Sequence, residues 1–293
     1  MNPDMRALLN LPFSVFPFRT YPGVFYLDEP DSGGRNRISV RYLYKFIDLP
    51  GLKKMLQNGL LLKEPSQWTD GYERRFYLAA YSSLNSIYKP ERVYACCFTT
   101  NKNSEASWTV YVNHKELFSE KNNADNKKDY LTIARIKFDR AALRRQLSSV
   151  AQKKSITFYE CPVQYISTYA IENCHLPDVS GAKRLHNALF EDTVFNRDVF
   201  LSLLSMKRRE LFEYEQEIRY FCIPQESQTG EMLISLDWND IIKQISLVRV
   251  GSEQPLTEKE LSQLDIPFNT NLIEPVDLYH KKMGSGVIVH GRL

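Results

Sequence analysis

Two glutamates and an arginine alternate within residues 214–221, where Glu215, Glu217 and Arg219 occupy every second position. If this segment is a β-strand, the three side chains lie on one face, because successive strand residues point to opposite faces. Like charges two residues apart raise the pKa of one carboxyl, and a guanidinium partly offsets that effect. An edge strand with a solvated charged face fits the alternation equally well. The apolar residues 221–223 favour a strand that enters the core, with its carboxylates lining a cleft.

A second group of candidate residues belongs to the apolar strand predicted over residues 93–99 and to the segment after it. The hydroxyl groups of Thr99 and Thr100 end the strand, and Trp108 and Tyr111 follow shortly afterwards. Hydroxyl groups can hydrogen-bond a ligand, and aromatic rings can stack on a planar heterocycle. These residues are candidates for one wall of a pocket, although packed core aromatics give the same pattern.

A third candidate is a lysine within an aromatic strand. Tyr42, Tyr44 and Phe46 share one face of this predicted strand, and Lys45 points to the other. Lys45 can pair with a phosphate, pair with a carboxylate of the cleft, or extend into solvent. Asp70 begins a predicted helix, and helix capping explains its position adequately.

The elements that must position these side chains follow no strict strand–helix–strand repeat. The strands predicted after residue 214 are joined by short turns, which is typical of an α+β fold with a largely antiparallel sheet. Predicted strands cover residues 38–46, 93–99, 131–138, 155–169, 217–223, 232–236 and 245–250. Predicted helices cover residues 66–88, 190–213 and 257–264, a short segment that stops at Gly59, and a segment capped by Asp139.

Taken in order, these segments resemble a family of largely uncharacterised bacterial proteins. Members carry a Tyr-Lys-aromatic strand, an Asn-Asp-Pro-Phe-Glu loop, a Cys-Phe-Ser strand with a following Trp-x-x-Tyr, and a Trp-x-Tyr-Glu-x-Glu-x-Arg segment. The matching positions, within residues 42–250, are 44–46, 69–73, 97–99, 108 with 111, and 214–219. The chain departs from the pattern at Thr69, Gly71, Thr99 and Phe212, and the first two departures lie on either side of Asp70.

That family looks like a distant branch of the ADP-ribosyltransferases. The resemblance implies a largely antiparallel split sheet that binds NAD in its cleft, with cleavage of the bond between nicotinamide and ribose. Such a reaction passes through an oxocarbenium-like ribose, which a carboxylate stabilises. By the same resemblance, Glu217 is the catalytic carboxylate and Glu215 orients or deprotonates the acceptor.

The resemblance also implies the ligands of the site. NAD is consumed as a substrate, so no glycine-rich dinucleotide-binding fingerprint and no metal are expected. The residues expected to bind NAD are Tyr44, Lys45, Thr99, Trp108, Tyr111 and Arg219. A macromolecular acceptor, either protein or nucleic acid, would receive the ADP-ribose. An intracellular toxin held by a neutralising antitoxin protein, or an antiphage effector, is the implied context.

Two other functions fit the same residues. In a metal-dependent nuclease, Asp70, Glu73, Glu215 and Glu217 would hold Mg²⁺ and Lys45 would contact the scissile phosphate. Strand-borne carboxylates within metal-binding distance of one another would favour that function. In a non-enzymatic interaction protein of a paired bacterial system, the two glutamates would form an exposed face without a cleft.

The composition of the whole chain sets further limits. The 293 residues carry a formal net charge of +3, which is too small to indicate a nucleic-acid partner by itself. The basic runs at 207–209 and 144–145 fit a nucleic-acid acceptor and solvated helix faces equally well. The five cysteines form no CxxC pair, and residues 1–11 lack a signal-peptide pattern, so we expect a cytoplasmic protein without a membrane partner.

The expected domain organisation follows from the distribution of aromatic, proline and glycine residues. We expect residues 1–37 to form an N-terminal arm, because they are rich in Phe, Pro, Tyr and Gly and lack periodicity. Residues 38–293 are expected to form a single α+β catalytic domain, with a C-terminal extension after about residue 265. The arm either packs on its own domain or covers a partner.

Overall fold

The fold is that of an α+β protein with a mostly antiparallel sheet, as the sequence predicts. The computed structural model describes residues 25–26, 40–68, 70–71, 73–74, 77–78, 92–102, 132–154, 156–166, 190–191, 194–195, 200–201, 204–224, 230–249 and 256–276. Within these ranges no helix is long and apolar enough to cross a membrane.

Fourteen strands lie within the described ranges. They are β1 Phe25–Tyr26, β2 Tyr42–Asp48, β3 Leu60–Lys63, β4 Tyr94–Thr99, β5 Thr132–Asp139, β6 Ile156–Pro162, β7 Gln164–Ile166, β8 Phe190–Glu191, β9 Val194–Phe195, β10 Met206–Arg208, β11 Glu217–Pro224, β12 Glu231–Ile234, β13 Ile242–Arg249 and β14 Ile273–Pro275. The helices with complete bounds are α1 Leu49–Asn58, α2 Arg140–Lys154, α3 Arg209–Phe212, α4 Trp238–Ile241 and α5 Glu258–Gln263. Short 3₁₀ turns cover Pro65–Gln67, Glu213–Glu215 and Thr270–Leu272.

The large sheet divides beside strand β4. Its strand order is β1-β6-β11-β4-β2-β5-β13-β14, and β3 also pairs with β4 and carries β12 on its far side. On the side of β4 away from β11, β2 contributes one register pair, Tyr44 with Thr99, and β3 contributes Lys63 with Ala95. Two strands therefore share one side of β4, and the sheet is split at that point.

The main core packs on one face of this sheet, against α1, α2 and α4. Strand β11 is buried along its whole length, and Ile218, Tyr220 and Cys222 belong to that core. Phe98 on β4 packs edge-to-face on Tyr220, with ring centroids 5.5 Å apart. Because strand residues alternate, Glu217 must point to the other face of β11.

Local capping signals predict several helix ends correctly. Gly59 ends α1 with φ 108°, as predicted. At the start of that helix the Asp48 side chain, a cap outside the predicted set, accepts a hydrogen bond from the amide of Gly51. The Asp139 carboxylate accepts from the amide of Ala142 at the start of α2. The capping box at the start of α5 is present as well, with Thr257 as its N-cap.

The prediction of one helix over residues 190–213 is wrong. The short strands β8 and β9 pair with each other in this region, and β10 pairs in parallel with β7 before the single turn of α3. The β10–β7 pairing joins residues forty-two positions apart, whereas β8 and β9 are close neighbours in the chain. Strand pairing therefore replaces the predicted helix in both places. In the predicted helix over residues 66–88, positions 71, 73–74 and 77–78 are helical, and Pro65–Gln67 is a 3₁₀ turn.

The predicted N-terminal arm touches the sheet at one described point. Strand β1 pairs antiparallel with β6, with Phe25 opposite Glu160 and Tyr26 opposite Tyr159. These two residues extend the edge of the sheet beyond β6. The rest of residues 1–37 lies outside the described part of the chain.

Candidate functional site

A pocket of about 380 Å³ opens beside the first residues of β11 and the last residues of β4. Its volume falls within the range of small-molecule sites. The lining residues are Tyr44, Lys45, Phe46, Lys63, Gln67, Trp68, Glu73, Cys97, Phe98, Thr99, Lys207, Tyr214, Glu215, Glu217 and Arg219.

Six of the eight predicted site residues meet in this pocket: Tyr44, Lys45, Thr99, Glu215, Glu217 and Arg219. They come from β2, β4, β11 and the turn before β11, so the fold brings together segments far apart in sequence. The other two, Trp108 and Tyr111, lie outside the described residues.

Arg219 is the centre of the site. Its side chain is only 1% exposed, and its Nε donates to Oε1 of Glu217 at 2.7 Å. Its Nη2 donates to Oε2 of Glu217 at 3.2 Å and also to Glu73, while Nη1 donates to the Leu204 carbonyl. The Trp68 ring lies 4.5 Å from the guanidinium carbon. One buried cation therefore fixes two carboxylates and an aromatic wall.

Lys207 on β10 joins the two glutamates of the predicted motif. Its Nζ lies 2.5 Å from Oε2 of Glu215 and 3.1 Å from Oε2 of Glu217. The Lys207 side chain is 11% exposed, and that of Glu215 is 24% exposed. Consecutive ion pairs therefore connect Glu215, through Lys207 and Glu217, to the buried Arg219, and Glu215 is the most exposed member of this series.

The prediction that Glu215, Glu217 and Arg219 share one strand face is wrong for Glu215. Strand β11 begins at Glu217, and Glu215 ends the preceding 3₁₀ turn. Between them Gln216 has left-handed backbone angles, with φ 44° and ψ 55°. This reversal interrupts strand alternation, so Glu215 reaches the same pocket by way of a turn.

The two glutamates of the motif have opposite protonation behaviour. Burial raises the pKa of Glu215, and Lys207 offsets only part of that effect. Burial also acts to raise the pKa of Glu217, but Arg219 and Lys207 outweigh it and hold that pKa well below its usual range. Glu217 is therefore a permanent anion at neutral pH, whereas Glu215 takes up a proton more readily.

The other ionisable groups of the pocket follow the same physical rules. Burial raises the pKa of Glu73, and the Arg219 guanidinium offsets part of that rise. Burial acts to lower the pKa of Lys207, but the surrounding carboxylates raise it above its usual range. Burial and the Glu217 carboxylate raise the pKa of the Cys97 thiol well above its usual value, so this cysteine is a poor nucleophile.

A row of directly opposed residues leads across the sheet to the catalytic candidate. Lys137 lies opposite Tyr44, Tyr44 opposite Thr99, and Thr99 opposite Glu217, on four adjacent strands. The Thr99 hydroxyl donates to the backbone carbonyl of Glu215. Thr99 therefore anchors the turn that carries Glu215, in addition to lining the pocket.

Lys45 occupies the split in the sheet. Its Nζ donates to the Cys97 carbonyl at 2.9 Å and lies 5.4 Å from the centre of the Phe98 ring. The contacts of Lys45 are therefore with β4, and not with a carboxylate of the cleft or mainly with solvent. The side chain supplies a hydrogen bond to β4 at a position where β2 and β4 are not in register.

The Asp70 segment behaves as a helix start. The Asp70 carboxylate accepts from the amide of Glu73 at 3.2 Å and pairs with Arg208 at 3.2 Å. Among the described residues no group of three or more His, Cys, Asp or Glu side chains is arranged to hold a metal ion. Lys207 and Arg219 lie between the carboxylates that the nuclease function would need on one cation.

Sequence reasoning missed three functional groups of this site. Lys207 belongs to a basic run that has the composition of a solvated surface, and the sequence marks Glu73 only as a candidate metal ligand. Trp68 precedes a helix start and gave no separate signal. Glu73 and Arg219 are 146 positions apart, so no local pattern could reveal their contact.

The arrangement suits one kind of chemistry. A fixed anion at Glu217 can stabilise a developing positive charge, and a carboxyl with raised pKa at Glu215 can take up a proton. Aromatic side chains at Tyr44, Trp68 and Tyr214 provide walls for a planar group. Comparison of the chain with protein-family models, with curated proteins and with solved structures found no match.

Proposed function

We propose that the chain is an ADP-ribosyltransferase that cleaves the nicotinamide–ribose bond of NAD and transfers ADP-ribose to a macromolecular acceptor. The observation that carries the proposal is the meeting of Glu215 and Glu217 in one pocket at the split of an antiparallel sheet. An ADP-ribosyltransferase-like fold is part of the proposal. A role as an intracellular toxin or antiphage effector, with a neutralising protein partner, rests on the family resemblance alone.

In this reaction the C1′–N bond breaks, and both of its electrons leave with the nicotinamide ring nitrogen. The ribose then carries positive charge, which the anionic Glu217 stabilises. A ribose hydroxyl would take the position of Lys207 at Oε2 of Glu217, where the present contact is 3.1 Å. The acceptor nucleophile forms the new bond to C1′ and gives its proton to Glu215.

The charges around the two glutamates support this division of roles. Arg219 holds Glu217 through both carboxylate oxygens, so its orientation is fixed before substrate binds. Glu215 is held by Lys207 alone among the described side chains and is the more exposed of the two. The fixed group suits charge stabilisation, and the adjustable group suits proton transfer to varied acceptors.

The two alternative functions fit the same site less well. The nuclease needs carboxylates that converge on one cation, whereas Lys207 already neutralises Glu215 and Glu217. The interaction protein needs an exposed pair of glutamates, whereas Glu217 is 6% exposed at the edge of a pocket. The proposed transferase uses both the burial of Glu217 in the pocket and its pairing with cations.

The proposal is tested by incubating the protein with NAD and measuring released nicotinamide, and by following labelled NAD into fractions of a cell lysate. Glu217→Gln keeps the shape of the side chain but removes its charge. Loss of one such electrostatic contact reduces rates by about a hundredfold to a thousandfold, so we expect a loss of this size in nicotinamide release. Affinity for NAD should change much less, because the charge acts mainly in the transition state.

Glu213→Gln is the matched control, since Glu213 lies in the same turn but is exposed and does not line the pocket. It should release nicotinamide at the wild-type rate. Near wild-type turnover by Glu217→Gln would refute the catalytic role of Glu217. A strict Mg²⁺ requirement for nucleic-acid cleavage without NAD turnover would refute the transferase function. Loss of toxicity on expression of Glu217→Gln, with retained folding, would extend the result to the cell.

A further inference from the structure

Basic and aromatic side chains share the sheet face that continues from the pocket. Tyr42 and Tyr44 on β2 face the same way as Arg135 and Lys137 on β5, because Lys137 lies directly opposite Tyr44 and Arg135 opposite Phe46. Arg41 precedes β2 and is exposed. We refer to Arg41, Tyr42, Tyr44, Arg135 and Lys137 as the basic strip.

The cations of the basic strip are held by aromatic rings. Lys137 Nζ lies 4.1 Å from the centre of the Tyr42 ring, and the guanidinium carbon of Arg41 lies 5.1 Å from the same ring. The guanidinium carbon of Arg135 lies 6.0 Å from the Tyr44 ring. Cation–π contacts of this kind position a cation without neutralising its charge.

Carboxylates compensate this charge only in part. Among the described residues, neither Arg41 nor Lys137 forms an ion pair with a carboxylate. The nearest acid in register, Asp139, lies opposite Tyr42 and caps α2 through Oδ1. Arg135 donates to the Ser246 hydroxyl and to the Lys102 carbonyl, and Ser246 in turn donates to Glu274.

In the two basic runs of the sequence, by contrast, each side chain that the structure describes is paired with a carboxylate. Lys207 pairs with Glu215 and Glu217, and Arg208 pairs with Asp70. Arg144 pairs with the buried Glu160, and Arg145 with Asp240. Arg41 and Lys137 of the basic strip therefore offer a polyanion two cations without a carboxylate partner among the described residues, at positions that the sequence does not mark as a basic run.

The basic strip leads directly to the catalytic candidates. Lys137, Tyr44, Thr99 and Glu217 form one row across four strands. Adjacent strands are separated by about 4.8 Å, so Lys137 and Glu217 are roughly 14 Å apart along the row. A flexible chain of phosphates bound at Arg41 and Lys137 can reach Glu215 within a few nucleotides.

We propose that the basic strip binds single-stranded nucleic acid. Arg41 and Lys137 beside the partly exposed Tyr42 ring suit a phosphate backbone with accessible bases, which a single strand offers and a duplex hides. That the bound strand is also the ADP-ribose acceptor, presenting a base or sugar nucleophile to Glu215, rests on the proposed transferase function. Binding itself does not depend on that function.

Binding is tested by fluorescence anisotropy with labelled oligonucleotides of about twelve nucleotides, a length within the known range for single-strand sites. The full chain is titrated without NAD against single-stranded RNA, single-stranded DNA and the corresponding duplex. We expect Arg41→Gln with Lys137→Gln to weaken single-strand binding at least tenfold. The slope of log affinity against log salt should decrease by about 1.4, since each lost phosphate contact contributes about 0.7 for a single strand.

The matched control is Lys54→Gln with Lys153→Gln, which makes the same change in net charge at exposed positions on α1 and α2. It should bind the oligonucleotide as the wild type does. The tighter of the RNA and DNA single strands identifies the class of nucleic acid. Equal loss of binding in the control pair, tighter binding of the duplex, or no binding of any oligonucleotide would overturn the proposal.

The outcome for the basic strip is independent of the outcome for the transferase. Oligonucleotide binding is measured without NAD, and nicotinamide release is measured without nucleic acid. If both succeed, labelled NAD should transfer label to the bound oligonucleotide, and Glu215→Gln should reduce this transfer more than it reduces nicotinamide release. Label found only on protein would refute the acceptor role and leave the measured binding in place.

Discussion

Tyr44 and Thr99 lie directly opposite each other and form the single register pair between β2 and β4. Beyond this pair, a side-chain hydrogen bond links the two strands in place of backbone pairing. The Lys45 Nζ donates it to the Cys97 carbonyl at 2.9 Å. The neighbouring strands on the two sides, β5 and β11, keep seven and six register pairs with β2 and β4. The opening in the sheet is therefore confined to one boundary, and the pocket lies beside it.

Removal of the buried cation should destabilise the protein strongly. Arg219→Met leaves Glu73 and Glu217 buried without their shared partner, and loss of one member of such a network typically costs about 3–5 kcal/mol. Urea unfolding at neutral pH should show a lower free energy of unfolding by this amount. Arg74→Met, at an exposed helical position, should change it by less than about 0.5 kcal/mol.

The same Arg219→Met variant should recover part of its stability in acid. The depressed pKa of Glu217 contributes stability above the unfolded-state pKa of this carboxyl, and the wild type loses that contribution as the pH falls. In the variant the two carboxyls accept protons more readily, which relieves their buried charge. The difference in unfolding free energy should therefore shrink towards acid pH. A constant difference would contradict the role assigned to Arg219.

Lys207→Met should shift the pH dependence of the proposed ADP-ribose transfer. Burial raises the pKa of Glu215, and Lys207 opposes that rise, so removing the cation raises this pKa further. The basic form of Glu215 then accumulates only at higher pH. The acidic limb of the plot of rate against pH should therefore shift to higher pH. Lys63→Met, which removes a half-exposed lysine at the pocket rim, should leave the limb in place. Glu215→Gln should abolish the limb.

Tryptophan fluorescence should report NAD binding. Trp68 lines the pocket against Arg219, and Trp108 is predicted from the sequence to line it as well. Trp108→Ala should weaken NAD binding by more than about tenfold, or ~1.4 kcal/mol. Trp68→Leu should remove most of the quenching that NAD produces. Trp238, which packs in the core, should contribute a signal that NAD does not change. Unchanged affinity in a folded Trp108→Ala protein would place this residue outside the site.

Truncation tests the role of the N-terminal arm. A chain that begins at Arg35 loses the β1–β6 pairing and bares the edge of β6. Two register pairs of the described residues are lost at that edge, and we expect the truncated chain to keep a cooperative melt with a modest loss of stability. Thermal unfolding followed by circular dichroism measures this directly. An insoluble or molten product would place the arm in the folded core.

Local signals account for the parts of the fold that the sequence predicts well. The Asp139 cap and the capping box at Thr257 depend on residues within four positions of each other, so the pattern and the structure coincide. The buried strand β11 is likewise marked by its own apolar residues. The α+β class follows from these short elements and their order.

Long-range contacts account for the parts that the sequence does not predict. Strand β10 exists because Lys207 pairs with Tyr165, forty-two positions earlier, and this pairing replaces the predicted helix. The ion pair of Glu73 with Arg219 joins distant segments. The contact of Lys207 with Glu215 depends on the backbone reversal at Gln216, which an alternating Glu-x-Glu pattern conceals.

The left-handed backbone of Gln216 places the two glutamates in different structural elements, so each can move without the other. Glu217 belongs to a strand that is paired on both sides, so it can move only if the sheet moves. Glu215 sits beyond the reversal, on a turn that Thr99 and Thr100 tie to the end of β4. In the proposed reaction, a substitution in that turn can therefore change which acceptor binds beside Glu215 without altering the position of the Glu217 carboxylate. If the proposed reaction holds, acceptor preference and bond cleavage can therefore evolve independently in this chain.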